Sequence, residues 1–330
     1  MRTFSNANPS DLRQAVSLAR DARRDNKAAS YAGGGSDLLG MVKDGLAQPD
    51  VLIHLRNIKA QDQVEPTGGR VRIGGQITLD ALASHPLIGT RYKALAEAAA
   101  SVATPQIRNA GTLAGNVCQR PWCWYFRNGF PCYKAGGNTC FSIAGENQFN
   151  AIFGGGPSFI VHPSDTAPAL VALDATFHVT GPAGDRTLAA AEFFTLPKDN
   201  PARENALAED ELLASIEFPI ARPGTRGTYQ KVMDREAWTH AIVSAALVLD
   251  MDNGVCRNAR IVLGGVAPVP WRIPEAERLL TGQRVTPELA AKAADTAVAG
   301  AHPLAKNAYK VPLVREIVRR SVLALASSPG

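Results

Sequence analysis

Ala32-Gly33-Gly34-Gly35-Ser36-Asp37-Leu38-Leu39 sets three consecutive glycines between a strand-like run and a helix-like one. Consecutive glycines let the backbone approach a ligand closely and reach positive φ. The N–H groups of such a turn, opening into a helix, form a nest for phosphate oxygens. Outward from the turn, residues 27–32 read as a short strand and 38–45 as a helix. Residues 51–55, Val-Leu-Ile-His-Leu, read as a second buried strand. Ser10-Asp11 caps a helix running to about Arg24, with Leu12, Ala15, Val16 and Ala19 at helical spacing. The result is a compact βαβ-like unit. The turn is not a G-x-G-x-x-G fingerprint, the chain has no P-loop, and a glycine turn alone is more often only a turn.

A second small-residue stretch, Gln106 to Asn116, contains Thr112-Leu113-Ala114-Gly115-Asn116 with two hydrogen-bonding side chains. A third reads Ser164-Asp165-Thr166-Ala167-Pro168-Ala169-Leu170, where Asp165 either holds a ribose hydroxyl or caps the helix that follows. From about residue 60 alternating patterns predict antiparallel strands, around 71–75, 175–180 and 212–218. Residues 221–227, rich in Pro and Gly, read as a linker. Beyond them lie three predicted strands (228–232, 241–250, 259–264), the last two joined by an Asp252-Asn253-Gly254 hairpin turn, and then three helices.

The 330 residues suit two or three domains. With 45% hydrophobic and 20% charged residues the chain is neither disordered nor a coiled coil, and no apolar run is long enough for a membrane span. The net charge of +5 is scattered rather than gathered on one face, which argues against a nucleic-acid partner. The N-terminus shows no apolar signal region, so the expected compartment is the cytoplasm, with export on a signal-bearing partner as the alternative. Four of the five cysteines, Cys118, Cys123, Cys132 and Cys140, fall within 23 residues. In a chain without a signal peptide such clustering points to metal rather than disulfides.

Taken together, the three small-residue motifs resemble those of the flavin-binding medium subunit of the xanthine dehydrogenase and carbon monoxide dehydrogenase family, the molybdenum hydroxylases. The likeness continues through Ser215-Ile216-Glu217-Phe218-Pro219, Tyr229-Gln230-Lys231-Val232, Ala267-Pro268 and Trp271-Arg272, covering nearly the whole chain in order. It implies an α+β fold: a two-lobed FAD-binding domain of the vanillyl-alcohol-oxidase (PCMH) type, then a small C-terminal domain of a three-stranded sheet plus helices. The expected bounds are 1–57 and 58–221 for the two FAD subdomains and 226–330 for the C-terminal domain. By position, Ala32, Gly33, Gly34, Gly35, Ser36, Asp37 and Leu38 bind FAD together with Thr112, Leu113, Ala114, Gly115 and Asn116. Asp165 takes the place of a ribose- or adenine-contacting acid. Lys231 falls where the family often has a lysine near the flavin, its plain alternative being a solvated charge at a strand end. Neither glycine motif contains a histidine, so FAD is expected to be dissociable.

The resemblance also bears on the cysteines. Asn116 and Asp165 lie 49 positions apart, where most of the family has a short connection. A cysteine-rich loop at about 117–160 resembles the subgroup containing 4-hydroxybenzoyl-CoA reductase and the periplasmic aldehyde oxidoreductases, whose medium subunit holds an extra [4Fe–4S] cluster. It implies Cys123, Cys132 and Cys140 as ligands, shielded by Trp122, Trp124, Tyr125 and Phe126. The fourth position falls on Ser158, with Cys118 as the substitute. A zinc site on the four cysteines is the rival, although their spacing of 4, 8 and 7 intervening residues is unlike paired C-x₂-C knuckles. The implied function is electron transfer by FAD between partner [2Fe–2S] clusters and an external acceptor. A large molybdopterin-binding subunit and a small [2Fe–2S] subunit are the implied partners. No general acid, base or nucleophile is nominated. The alternatives are a free-standing flavin oxidase and a flavin-free iron–sulfur or zinc scaffold.

Overall fold

The computed structural model describes residues 2–237 and 239–327. The helix Leu12–Arg24 starts where the Asp11 carboxylate accepts from Gln14 N at 2.8 Å. It buries Ala15, Val16, Ala19 and Ala22, one apolar stripe at helical spacing, against the first sheet. That sheet is parallel, ordered β1 (Ser5–Ala7), β3 (Val51–His54), β2 (Ala29–Ala32). The expected βαβ unit is present with one more edge strand, β1.

The second lobe is a five-stranded antiparallel sheet, ordered β4 (Val64–Thr67), β5 (Arg70–Gly74), β8 (Leu212–Pro219), β6 (Thr176–Gly181), β7 (Gly184–Ala189). Its inner face carries Val71, Ile73, Phe177, Val179, Ile216 and Phe218, all nearly fully buried. The short helices that carry the second and third motifs, Leu113–Val117 and Thr166–Ala172, belong to the same core.

The C-terminal sheet runs β12 (Trp271–Arg272), β11 (Val255–Gly264), β10 (Val243–Asp252), β9 (Thr225–Val232), with β13 (Gln283–Arg284) also pairing β11. Two strands of two residues each thus extend the expected three-stranded sheet to five. Asn253 and Gly254 form the two-residue turn between β10 and β11, both at positive φ (48° and 81°), which matches the right-handed twist of the strands. The helices Pro274–Leu280, Pro287–Val298 and Lys310–Ser327 cover this sheet. Among the described residues no helix is long and apolar enough to cross a membrane.

Candidate functional site

The two glycine motifs cross in contact. A β-carbon on Gly34 would stand 1.8 Å from the Ala110 carbonyl oxygen, and one on Gly33 would stand 2.6 Å from the Thr112 hydroxyl. Only bare backbone can pass here. Thr112 opens the helix Leu113–Val117 by accepting from Gly115 N at 3.2 Å. Leu113 is fully buried and Ala114 nearly so, which pins the motif to the core and leaves Gly115 and Asn116 on the cavity side.

Two cavities meet at this crossing. One, about 550 Å³, is walled by Ala32 to Leu38, Thr112, Gly115, Asn116, Cys118 and the segment around Glu204. The other, about 530 Å³, is walled by Arg56, Asn57, Lys59, Gln76 and Asn109, and shares Thr112 with the first. Gln76 Oε1 is buried without a hydrogen-bond partner among the described residues. It is therefore an acceptor awaiting a donor.

Asp165 and Lys231 come together behind this cleft rather than in its wall. Lys231 Nζ donates to Asp165 Oδ2 at 2.7 Å and to the Ser101 carbonyl at 3.0 Å, with both charged side chains nearly fully buried. The Tyr229 hydroxyl donates to the other carboxylate oxygen at 2.6 Å. Burial, then the Asp165 charge, hold the Tyr229 phenol well above its ordinary range. Lys231 is thus no solvated strand-end charge. Nor does Asp165 cap the helix after it: that bond is made by Ser164 Oγ, which accepts from Ala167 N at 3.0 Å. Asn116 links this layer to the cleft, its Oδ1 accepting from Ser164 Oγ and Thr166 Oγ1 at 2.7 Å each.

The cysteines separate into two groups. Cys123, Cys132 and Cys140 are neighbours: the other two thiols and, above all, burial push the Cys123 thiol up. Cys140 Sγ lies 3.1 Å from Ser142 Oγ and accepts from Phe159 N at 3.5 Å, which brings the buried Ser158 alongside. Cys118 instead walls the glycine cleft, and burial pushes its thiol up to about 12. Among the described residues no group of three or more His, Cys, Asp or Glu side chains converges as on a single metal ion. The expected aromatic shield is partial. Phe126 is buried, whereas Trp122 and Trp124 are 46% and 54% exposed, lying instead against His240 and Phe149 on the rim.

The sequence profile of the FAD binding domain in molybdopterin dehydrogenase matches residues 2–221, and that of the CO dehydrogenase flavoprotein C-terminal domain matches residues 228–325. The chain belongs to the FAD-binding medium subunits of the molybdenum hydroxylase family. It is 35% identical to the aldehyde oxidoreductase FAD-binding subunit PaoB of Escherichia coli (strain K12), over 90% of this chain and 91% of that protein. It is 29% identical to the carbon monoxide dehydrogenase medium chain of Hydrogenophaga pseudoflava, over 96% and 94%. A solved structure of the carbon monoxide dehydrogenase from that organism, lacking the Mo-pyranopterin moiety, superposes with a TM-score of 0.78 at 27% identity, covering 98% of this chain and 97% of that one.

The cleft of this medium subunit fits FAD. A dinucleotide has two bulky ends joined by a diphosphate. Two cavities of ligand size meet at a glycine crossing that no side chain fills. One of them presents an unpartnered acceptor in Gln76.

Behind two acids of the medium subunit's cleft, Asp37 and Glu204, stand cations that belong to no motif, of which Arg120 itself reaches the cleft wall. Arg120 Nε pairs with Glu204 at 3.0 Å, and Lys134 Nζ pairs with the same carboxylate at 3.1 Å. Arg127 holds Asp37 at 2.8 Å and stacks on Trp122, 4.3 Å from the ring centre. Burial lowers the Lys134 ammonium, with Glu204 opposing it. One signal in the sequence marks them: residues 118–140 contain three basic residues and no acidic one.

Proposed function

We propose that this medium subunit carries electrons through FAD between iron–sulfur centres of a small partner subunit and an external acceptor. A large partner subunit holding molybdopterin would transform the substrate. The observation that carries this reading is the glycine crossing between two cavities in a chain that matches both domains of the family along its length. The relatives serve aldehyde and carbon monoxide enzymes on one medium-chain fold, which leaves substrate choice to a partner. When bound, FAD supplies the exchange between one- and two-electron transfer. The chain's own residues bind and orient it. Backbone N–H groups across Ala32 to Leu38, with the N–H groups and short hydroxyl of Thr112 to Asn116, hold the diphosphate, while the Asp37 carboxylate is turned to Arg127 and takes no part. Asp165 and Lys231 act from behind, fixing Asn116 through Ser164 and the helix Thr166–Ala172.

We also propose that Cys123, Cys132 and Cys140 hold a [4Fe–4S] cluster, with Ser158 at the fourth corner. The juxtaposed thiols and the Phe159 N–H on Cys140 support this, and Cys118 points elsewhere.

Anaerobic purification with co-expressed genomic neighbours, followed by flavin release and metal analysis, tests both readings. The expected result is one FAD with about four irons per chain. FAD without iron would overturn the cluster and leave the flavin reading standing. Zinc without FAD would overturn both.

A further inference from the structure

The phosphate-binding turn ends on an acid. Asp37 follows Ser36 directly and walls the cleft, and Glu204, 7% exposed, stands on the same cleft. A diphosphate entering a cleft of low dielectric beside two carboxylates is repelled unless cations offset them. Those cations all come from the cysteine loop. Arg127 reaches back to Asp37, and its planar group is held over Trp122 and by the Pro121 and Arg120 carbonyls at 2.8 and 3.0 Å. Arg120 gives its own N–H to Asp37 at 3.3 Å and its side chain to Glu204. Lys134, whose side chain is 1% exposed, cannot turn to water; it is fixed on Glu204 and on the Arg203 carbonyl at 2.7 Å.

We infer that the cysteine loop is an electrostatic counterweight for FAD binding, in which Arg127 offsets Asp37 and Arg120 with Lys134 offset Glu204. Around Asp37 and Glu204 the three cations exceed the two carboxylates by one, while Glu211 and Glu209, further along the same wall, pair with Arg186 and Arg23. Remove Arg127 and the half-buried Asp37 carboxylate faces the phosphates without its counter-ion. Remove its carboxylate as well and the repulsion goes with it. Arg127 is thus a positioning residue that touches Asp37 and acts on FAD only through charge. This account rests on the FAD site alone and holds with or without iron in the loop.

The test is FAD affinity of the full-length chain, stripped of flavin and titrated back while flavin fluorescence is followed. Arg127→Met is expected to weaken Kd about tenfold, an effect that shrinks as salt rises. Asp37→Asn alone is expected to bind FAD as well as the wild type or more tightly. The double variant is expected to return to within about threefold of the wild type, a coupling that additive damage does not produce. Arg127→Lys, which keeps the charge, is expected to retain most of the affinity and covers the case in which Arg127→Met fails to fold. The inference is overturned if Arg127→Met binds FAD normally, or if the double variant is as weak as Arg127→Met. It is equally overturned if Asp37→Asn loses affinity, which would make Asp37 a direct ligand.

Discussion

At Gly34 the placement of the Ala110 carbonyl leaves no room for a methyl group, whereas at Gly40, six positions on, nothing lies within 4 Å. The two glycines therefore respond oppositely to the same change. Gly34→Ala forces backbone away from backbone, since no flexible side chain is present to yield. It is expected to cost about 1–3 kcal/mol and to abolish FAD retention. Gly40→Ala, in the exposed face of the helix Leu38–Lys43, is expected to be neutral or to stabilise by up to about 1 kcal/mol with FAD retained. Thermal midpoints and bound flavin, measured side by side, check the pair. The glycine run was legible as a tight turn because its chemistry is local, and it pointed to a ligand only together with the other two motifs. Which carbonyl it would meet was not legible, because Ala110 lies 76 positions further along the chain. Arg127 and Asp37, 90 positions apart, escaped the sequence for the same reason.

The helix Thr166–Ala172 shows what an element adds. Every residue of it is buried, so its apolar run predicts a core helix wherever it docks. Its N-terminus decides the docking. Ser164 Oγ both accepts from Ala167 N and donates to Asn116 Oδ1, joining the helix to the second glycine motif. Asp165 points away to Lys231 and Tyr229, joining it to β9. Ser164→Ala is expected to cost about 1–2 kcal/mol, the worth of a cap and one buried bond. Asp165→Asn leaves the Lys231 ammonium buried without its counter-ion and is expected to cost more, about 3–5 kcal/mol. Denaturant unfolding of the two variants gives the order, and an equal cost would refute the assignment of the carboxylate to the ion pair. The sequence allowed both a cap and a ligand role for Asp165, because a carboxylate before a helix looks the same in either. Strand limits followed a similar rule. β10 was legible from its apolar run and β11 from residue 259 on, whereas β9 begins at Thr225, inside the Pro- and Gly-rich stretch read as a linker, because β10 supplies its pairing partner, as it does for the start of β11 at Val255. The two-residue strands β12 and β13 carry too little pattern to be seen.

Over the whole molecule the cysteine loop is gripped from two sides. Its cations hold the FAD cleft, while the segment after Cys140 is stitched to the C-terminal domain. Asn307 donates to the Asn150 carbonyl at 3.0 Å and Tyr309 to that of Gln148 at 2.9 Å. Lys310 lies at the centre of this seam. It is fully buried, and its Nζ donates to the carbonyls of Phe149, Asn150 and Gly265 at 2.9, 3.1 and 2.7 Å, with no carboxylate on it among the described residues. Burial pushes this ammonium down to about 7. A lysine in the unfolded chain titrates near about 10.4. Between about pH 7 and 10 the unfolded chain holds a proton that the folded chain has released, so folding stability gains from rising pH across that window. Below about 7 both states are protonated and the full burial cost is carried. Lys310→Met removes the titration while filling the same space. The stability of the wild type relative to this variant is therefore expected to be flat below about pH 6 and to climb from about pH 7 towards 10, as read from denaturation midpoints in matched buffers. Groups common to both proteins cancel in that difference. A difference that stays flat across the window would mean that the three carbonyls outweigh burial and keep the ammonium in its ordinary range. The seam would then be a permanently charged pin, with the same grip on the loop at every pH.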